Sequence, residues 1–182
     1  MRLERALICA LSFLLLGASP VAAGPKASDP CALPVGLHGQ ISRTYRGRVV
    51  TMADLEDYGK KLFKKDHGNR CPGLAKVDFY GDGKPTWALV LITGENPKRK
   101  AQLVVAHQIG VSWETRLLET TDGTPVVWTK GPGKYRESAS FDSASDRTLR
   151  ATNPVIVFCG LESWAIVYVW NGKEVEKIQT SD

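Results

Sequence analysis

The chain has 182 residues, 43% of them hydrophobic and 24% charged, and its formal net charge is +5. These proportions are those of a folded globular protein, and they exclude a disordered, collagen-like or low-complexity chain. The basic excess favours contact with an acidic partner or an anionic cell-envelope polymer. It is too small to indicate nucleic-acid binding.

The first 23 residues have the pattern of a secretory signal peptide. Two arginines precede a largely apolar run over residues 6–16, and small residues lead up to Ala23. The run is too short to cross a bilayer, which needs about 20 apolar residues. We therefore expect cleavage near Ala23, a secreted or periplasmic location, no membrane span, and a single mature domain over residues 24–182.

Cleavage leaves three cysteines, Cys31, Cys71 and Cys159, in an oxidising compartment. We favour a Cys71–Cys159 disulfide with Cys31 unpaired, because Cys71 precedes the first core strand and Cys159 ends a late one. Closing so long a loop stabilises the fold by about 4 kcal/mol in the chain-entropy treatment. A Cys31–Cys71 pairing is the alternative. No C-x-x-C motif is present, and no histidine lies at ligand spacing from a cysteine, so we expect no metal site here.

The N-terminal part of the mature chain contains the clearest helix. Residues 24–39 are rich in Pro, Gly and Ala and predict a loose lead-in, and residues 40–50 predict one short strand. Residues 51–67 have apolar side chains at helical spacing. Thr51 and Asp54 have the spacing of a capping box at the start of this helix.

From Cys71 onward the pattern is typical of strands. Strands are predicted over residues 74–80, 86–92, 101–108, 111–119, 125–129, 154–159, 163–170 and 173–178. The Asn171–Gly172 dipeptide predicts a hairpin before the last of them. Residues 131–150 are polar and rich in turn formers, and they are predicted to be the least ordered part. The chain is therefore predicted to be α+β, mainly β, with one N-terminal helix packed on a curved, mostly antiparallel sheet.

The most distinctive motif is the stretch Asp78-Phe79-Tyr80-Gly81-Asp82-Gly83. It resembles the D-F-N-G-D-G-x-x-D loop of the FG-GAP and VCBS repeat families. Together with the C-terminal hairpin, it is similar to uncharacterised secreted bacterial proteins that have no established activity. The resemblance implies a propeller-blade-like sheet and makes Asp78 and Asp82 the candidate calcium ligands. Tyr80 and Thr86 replace two of the family's oxygen ligands, so we expect a loop of that shape that folds without the ion.

Motifs of known enzymes are missing from the sequence. There is no G-x-S-x-G nucleophile elbow, no phosphate loop and no H-E-x-x-H pair. His38, His67 and His107 are far apart in the chain. These observations favour a binding protein over an enzyme. An enzyme would need the fold to bring a histidine close to a cysteine, a serine or a carboxylate.

Two basic segments are the candidate partner-binding surfaces. They contain Arg43, Arg46 and Arg48, and Lys98, Arg99 and Lys100. Trp170 joins them because it adjoins a turn and is the tryptophan expected to be most exposed, whereas strand tryptophans usually pack in the core.

The predicted function is that of a secreted or periplasmic, non-enzymatic protein that binds another protein. Its most concrete form is an inhibitor or immunity-type protein acting on a cell-envelope hydrolase. Two alternatives stay open. One is a module that binds a glycan or small ligand through tryptophans, and the other is a calcium-stabilised module of the FG-GAP type.

Overall fold

The computed structural model describes residues 29–138 and 147–180. Its helices are α1 (Val35–Thr44) and α2 (Asp57–His67), with a short 3-10 turn at Met52–Asp54 between them. The predicted signal peptide and the first residues of the predicted lead-in lie outside the described ranges. The strands are β1 (Arg48–Val49), β2 (Leu74–Val77), β3 (Thr86–Thr93), β4 (Lys100–Ile109), β5 (Ser112–Asp122), β6 (Val126–Lys130), β7 (Gly133–Arg136), β8 (Thr148–Ala151), β9 (Val155–Gly160), β10 (Trp164–Trp170) and β11 (Val175–Thr180).

The described strands form two large antiparallel sheets and one ribbon. The five-stranded sheet has the order β1-β3-β4-β5, and β2 pairs with β3 beside β1. The four-stranded sheet has the order β11-β10-β9-β6, and β7 pairs with β8. The predicted α+β, mainly β class with antiparallel pairing is confirmed. The structure has two helices where one was predicted, and two sheets share its main core in place of one curved sheet.

The main core is built from both large sheets. Val90 and Leu103 of the five-stranded sheet and Phe158 and Val167 of the four-stranded sheet are at most 1% exposed. Phe63 of α2 belongs to the same cluster, so α2 closes this core on one side. Neither helix in the described ranges has the length and apolar content needed to cross a membrane.

Helix α1 corrects the prediction of a loose lead-in, and the short strand predicted over residues 40–50 is confined to β1 at Arg48–Val49. Leu37 and Ile41 lie one helical turn apart and are buried against Leu89 and Leu91 on the outer face of the five-stranded sheet. Two glycines give this segment a low intrinsic helix propensity. The helix therefore depends on tertiary packing, which short helices in general require.

The predicted helix over residues 51–67 is divided in two. Thr51 and Asp54 do form the reciprocal contact, since the Thr51 N–H donates to the Asp54 carboxylate at 2.9 Å. They cap the 3-10 turn, however, and α2 starts only at Asp57. Gly68 ends α2 with a φ of 68° and donates its N–H to the Lys64 carbonyl.

The disulfide joins Cys31 to Cys71, so the predicted Cys71–Cys159 pairing is wrong. Cys71 belongs to the core under α1, with Cys31 packed against it, and both sulfur atoms lie within 4 Å of the Val50 carbonyl. Cys159 is fully buried in β9 and belongs to the main core. The five-stranded sheet separates the two environments.

The structure also corrects two details of the C-terminal half. Residues 131–150 were predicted to be the least ordered, but β7 and β8 lie at their two ends and pair with each other; residues 139–146 lie outside the described ranges. The hairpin at Asn171–Gly172 is confirmed, with a four-residue loop that delays the last strand to Val175. The Asn171 side-chain oxygen accepts two backbone N–H groups of this loop.

Candidate functional site

The two predicted basic segments meet at one end of the five-stranded sheet, which we call the basic end. β1 pairs with β3 through Arg48 and Ile92, and Thr93 pairs with Lys100 across the turn between β3 and β4. This register brings residues 43–48 beside residues 98–100. The two segments are about fifty residues apart in the chain. Their proximity could not be predicted from the sequence alone.

Asp54 connects the two segments. Its carboxylate accepts hydrogen bonds from both terminal nitrogens of Arg48, at 2.6 and 2.5 Å, and its backbone carbonyl accepts one from Arg99 Nη1 at 3.3 Å. The Asp54 side chain is only 5% exposed. Hydrogen bonding from Arg48 holds the pKa of Asp54 far below its usual range, and the same contact raises the pKa of Arg48. Arg48 and Arg99 thus hold the basic end together.

The remaining cations of the basic end divide into one that is paired and three that are exposed. Lys100 forms an ion pair with Asp122, its partner across β4 and β5. Arg43, Arg46 and Lys98 are exposed and form no ion pair with any described residue. These three side chains present positive charge and N–H donors to the solvent.

A groove of about 910 Å³ lies at the basic end. Tyr45 and Arg46 form one wall, and Lys100, Gln102 and Thr120 of β4 and β5 form part of the other. The groove is lined by hydroxyl, amide and cationic groups and by the Asp122 carboxylate, which is paired with Lys100. These groups can form hydrogen bonds with an extended polar segment.

Gly47 sets the path of the chain between Arg46 and Arg48. Its φ is +108°, and a Cβ built on it would lie 2.6 Å from the Ile92 carbonyl oxygen. Only glycine combines this left-handed conformation with such a close approach to the β3 backbone. The position of the two neighbouring arginines therefore depends on a residue without a side chain.

The loop that resembles FG-GAP and VCBS repeats uses its acidic groups internally. The Asp78 carboxylate accepts the N–H groups of Gly81 and Gly83, at 2.9 and 3.0 Å. The Asp82 carboxylate accepts the Lys84 N–H at 3.1 Å and contacts His107 Nε2 at 3.1 Å. Among the described residues, no group of three or more His, Cys, Asp or Glu is placed to hold a metal ion.

The fold brings His107 to a carboxylate. Its Nε2 contacts Asp82, and its Nδ1 lies 3.0 Å from the Thr86 hydroxyl. An ionised carboxylate only accepts, so the Nε2 atom facing Asp82 carries a proton. Thr86 is 0% exposed, and both ring nitrogens are engaged. The trio ties the Asp78–Asp82 loop to β4, and its hydroxyl group is buried.

Beside this trio is a cleft of about 380 Å³, at the opposite end of β4 from Lys100. Tyr80 packs edge-to-face on His107 and on Trp170, with ring centroids 4.5 and 5.0 Å apart. Burial raises the pKa of Tyr80. Trp170, predicted to be the most exposed tryptophan, is half-buried here and lies away from the basic end.

Two further grooves have tryptophan walls. Trp87 and Trp128 line one of about 750 Å³, in which Lys76 Nζ lies 5.4 Å from the Trp87 ring centroid. Trp128 and Trp164 line another of about 680 Å³, and the ring of His67 stacks 4.8 Å from Trp128 at their shared boundary. These side chains were expected in the core. The alternation of residues along a strand indicates which face of the sheet a tryptophan lies on. It does not indicate whether another layer of the protein covers that face.

No protein family model matches the chain, and no curated protein or solved structure is significantly similar to it.

Proposed function

We propose that this is an exported binding protein, released by cleavage near Ala23, that holds an acidic surface of a partner protein at its basic end. The observation that carries the proposal is the shared contact of Arg48 and Arg99 with Asp54. It unites two basic segments into one surface. The Cys31–Cys71 disulfide supports export, since disulfides persist mainly outside the cytoplasm.

The charges of the basic end suit recognition of carboxylates. Arg48 is 60% exposed even while it binds Asp54, and Arg43, Arg46 and Lys98 occupy exposed positions of the two basic segments. Guanidinium groups bind carboxylates in a bidentate manner. Positive charge concentrated at one end of a small molecule also steers an acidic partner toward that end, and added salt weakens this steering.

A cell-envelope hydrolase is the partner class we favour. Glycoside hydrolases carry a pair of Asp or Glu side chains beside the scissile bond, so their clefts present carboxylates. Lys98 is exposed in the turn between β3 and β4, which is the part of the basic end best placed to enter such a cleft. Binding there blocks the substrate, which makes the protein an inhibitor. An anionic envelope polymer is the other partner with the right chemistry.

The test compares two triple variants with equal changes of charge. Arg43→Glu/Arg46→Glu/Lys98→Glu alters the basic end, and Lys61→Glu/Lys64→Glu/Lys65→Glu alters exposed positions of α2. Each variant and the wild type is immobilised and exposed to an envelope extract. We expect a near-stoichiometric protein partner with the wild type and the α2 variant, and at least a tenfold loss with the basic-end variant. Equal recovery by both variants, or no partner at all, would contradict the proposal.

A second candidate function is recognition of a glycan, and the Trp87–Trp128 groove favours it. Two indole walls with polar neighbours such as Asn69 and Thr129 resemble the lining of small-ligand sites. Titration with peptidoglycan fragments should then change the tryptophan fluorescence of the wild type. The Trp128→Ala variant should lose that change and Trp113→Ala should keep it. A spectrum unaltered by saturating fragments would eliminate this candidate.

A further inference from the structure

Strand β5 is an open edge of the five-stranded sheet. Among the described strands, only β4 pairs with it, although β5 is eleven residues long. An open edge leaves a row of backbone N–H and C=O groups able to pair with another strand. The middle of β5 presents exposed Glu114 and Arg116 toward the main-core face, and Leu117, which is 43% exposed, toward the α1 face.

We propose that β5 pairs in antiparallel fashion with β5 of a second copy of this chain, with the two-fold axis at Thr115. In this register Glu114 of each copy lies opposite Arg116 of the other, and Trp113 lies opposite Leu117. Two cross-strand ion pairs and two apolar pairs result from one strand sequence. Directly opposed pairs of these kinds stabilise antiparallel strands.

Charge selects this register from its neighbours. A two-fold axis perpendicular to the sheet requires one residue to lie opposite its own copy. An axis at Glu114 would oppose two carboxylates, and an axis at Arg116 would oppose two guanidinium groups, which is destabilising in both cases. Registers nearer the end of β5 cross the irregularity at Leu118, where Leu117 pairs with Val104 but Glu119 pairs with Leu103.

The pairing is symmetric and closes after two copies, because the same strand is used on both sides. It also has a spatial consequence. Glu114 and Arg116 line the cleft beside Tyr80, His107 and Trp170, so the clefts of the two copies lie next to each other across the axis. The basic ends lie at the far ends of the antiparallel pair, where both stay accessible.

The test is a charge exchange read by sedimentation velocity over a range of protein concentrations. The wild type is expected to shift reversibly from one chain to two as concentration rises. Glu114→Arg alone and Arg116→Glu alone place like charges opposite each other, and each should weaken association by at least about tenfold. The double variant Glu114→Arg/Arg116→Glu re-forms both pairs with the charges exchanged and should restore association.

A matched control is Glu95→Arg, which makes the same charge change in the exposed turn at the other end of the sheet. It should leave association unchanged. All substituted positions are exposed, and unchanged thermal unfolding of each variant verifies the fold. A wild type that stays monomeric at every concentration would overturn the proposal, because the charges of β5 then serve only to keep the edge unpaired. A double variant as weak as the single ones would overturn it as well.

Discussion

Asp54 shows how one buried carboxylate organises a surface built by residues from several segments. It accepts the Thr51 N–H, holds Arg48 by both terminal nitrogens, and offers its carbonyl to Arg99. Arg99 also donates to Thr124 Oγ1 at 2.8 Å, which connects the basic end to the start of β6. The backbone that carries the exposed cations is therefore held in place by these hydrogen bonds.

Asp54→Asn is expected to destabilise the protein by about 2 kcal/mol at pH 7, because it removes charge-assisted hydrogen bonds. The pKa of Asp54 is lower in the folded chain than in the unfolded one. Its stabilisation is thus complete at neutral pH and is lost as the pH falls below about 4. Urea unfolding at pH 7 and at pH 2.5 should show the difference between wild type and variant shrinking in acid.

Asp122→Asn is the matched control, since the Lys100–Asp122 pair is 67% and 73% exposed. An exposed ion pair contributes little, and we expect a change below about 0.5 kcal/mol. Equal losses for the two variants, or a loss for Asp54→Asn that does not depend on pH, would contradict the structural role given to Asp54.

The disulfide provides a second test at single residues. Cys31 and Cys71 are 40 residues apart, and loss of a bridge of that length costs about 4 kcal/mol in the chain-entropy treatment. Non-reducing peptide mapping should recover the peptide that links them. Cys31→Ser/Cys71→Ser should lower the free energy of unfolding by several times more than Cys159→Ala. Any peptide in which Cys159 is linked to another cysteine would contradict this arrangement.

At the scale of elements, the Asp78–Asp82 loop is a structural connection between β2 and β3. The Asp78 carboxylate accepts charge-assisted hydrogen bonds from two backbone N–H groups of this exposed loop. Asp78→Ala should therefore cost about 1–3 kcal/mol. Because both carboxylates are already engaged, Tm should be the same in millimolar calcium and in chelator. A ligand that binds only the folded chain must raise Tm. A higher Tm in calcium than in chelator would therefore show that the loop binds calcium.

The elements predicted well from sequence are those whose signal is local. Residues of β3 and β10 are apolar on both faces, and the strands occur where that pattern predicted them. Gly68 ends α2 as its sequence position indicated. Helix α1 was not predicted because its two glycines lower its helix propensity. The spacing of Leu37 and Ile41 is the sequence feature that indicates a helix there.

Features that depend on packing between distant segments had no signal in the sequence. The spacing of the cysteines did not show that Cys71 and Cys159 lie in different cores. The six candidate cations were identified from the sequence, but the proximity of their two segments follows from the pairing of β1 with β3. The cleft beside His107 was missed for the same reason, since Asp82 and His107 are 25 residues apart.

At the scale of the whole molecule, the long strands separate two surfaces. β4 runs from Lys100 at the basic end to His107 beside the Tyr80–Trp170 cleft, and β5 returns along it. Eight strand residues at about 3.4 Å each place these surfaces more than 20 Å apart. A partner at the basic end and a second copy at β5 are therefore compatible with each other.

The proposed export of the chain can be tested by measuring the mass of the mature protein. The protein recovered from the periplasm or the growth medium should begin at Gly24, the residue after the predicted cleavage point. Intact mass spectrometry distinguishes this form from the full chain. A protein that retains residues 1–23 in the cytoplasm would contradict the proposed location.

Site-specific photo-crosslinking can show whether the basic end contacts the proposed partner. A photoreactive residue placed by Lys98→benzoylphenylalanine is compared with the same residue placed by Lys65→benzoylphenylalanine on α2, both at exposed positions. Ultraviolet irradiation in the native envelope should give one dominant crosslinked protein from position 98 and little or none from position 65. The same product in equal yield from both positions, or none from position 98, would contradict the proposed contact.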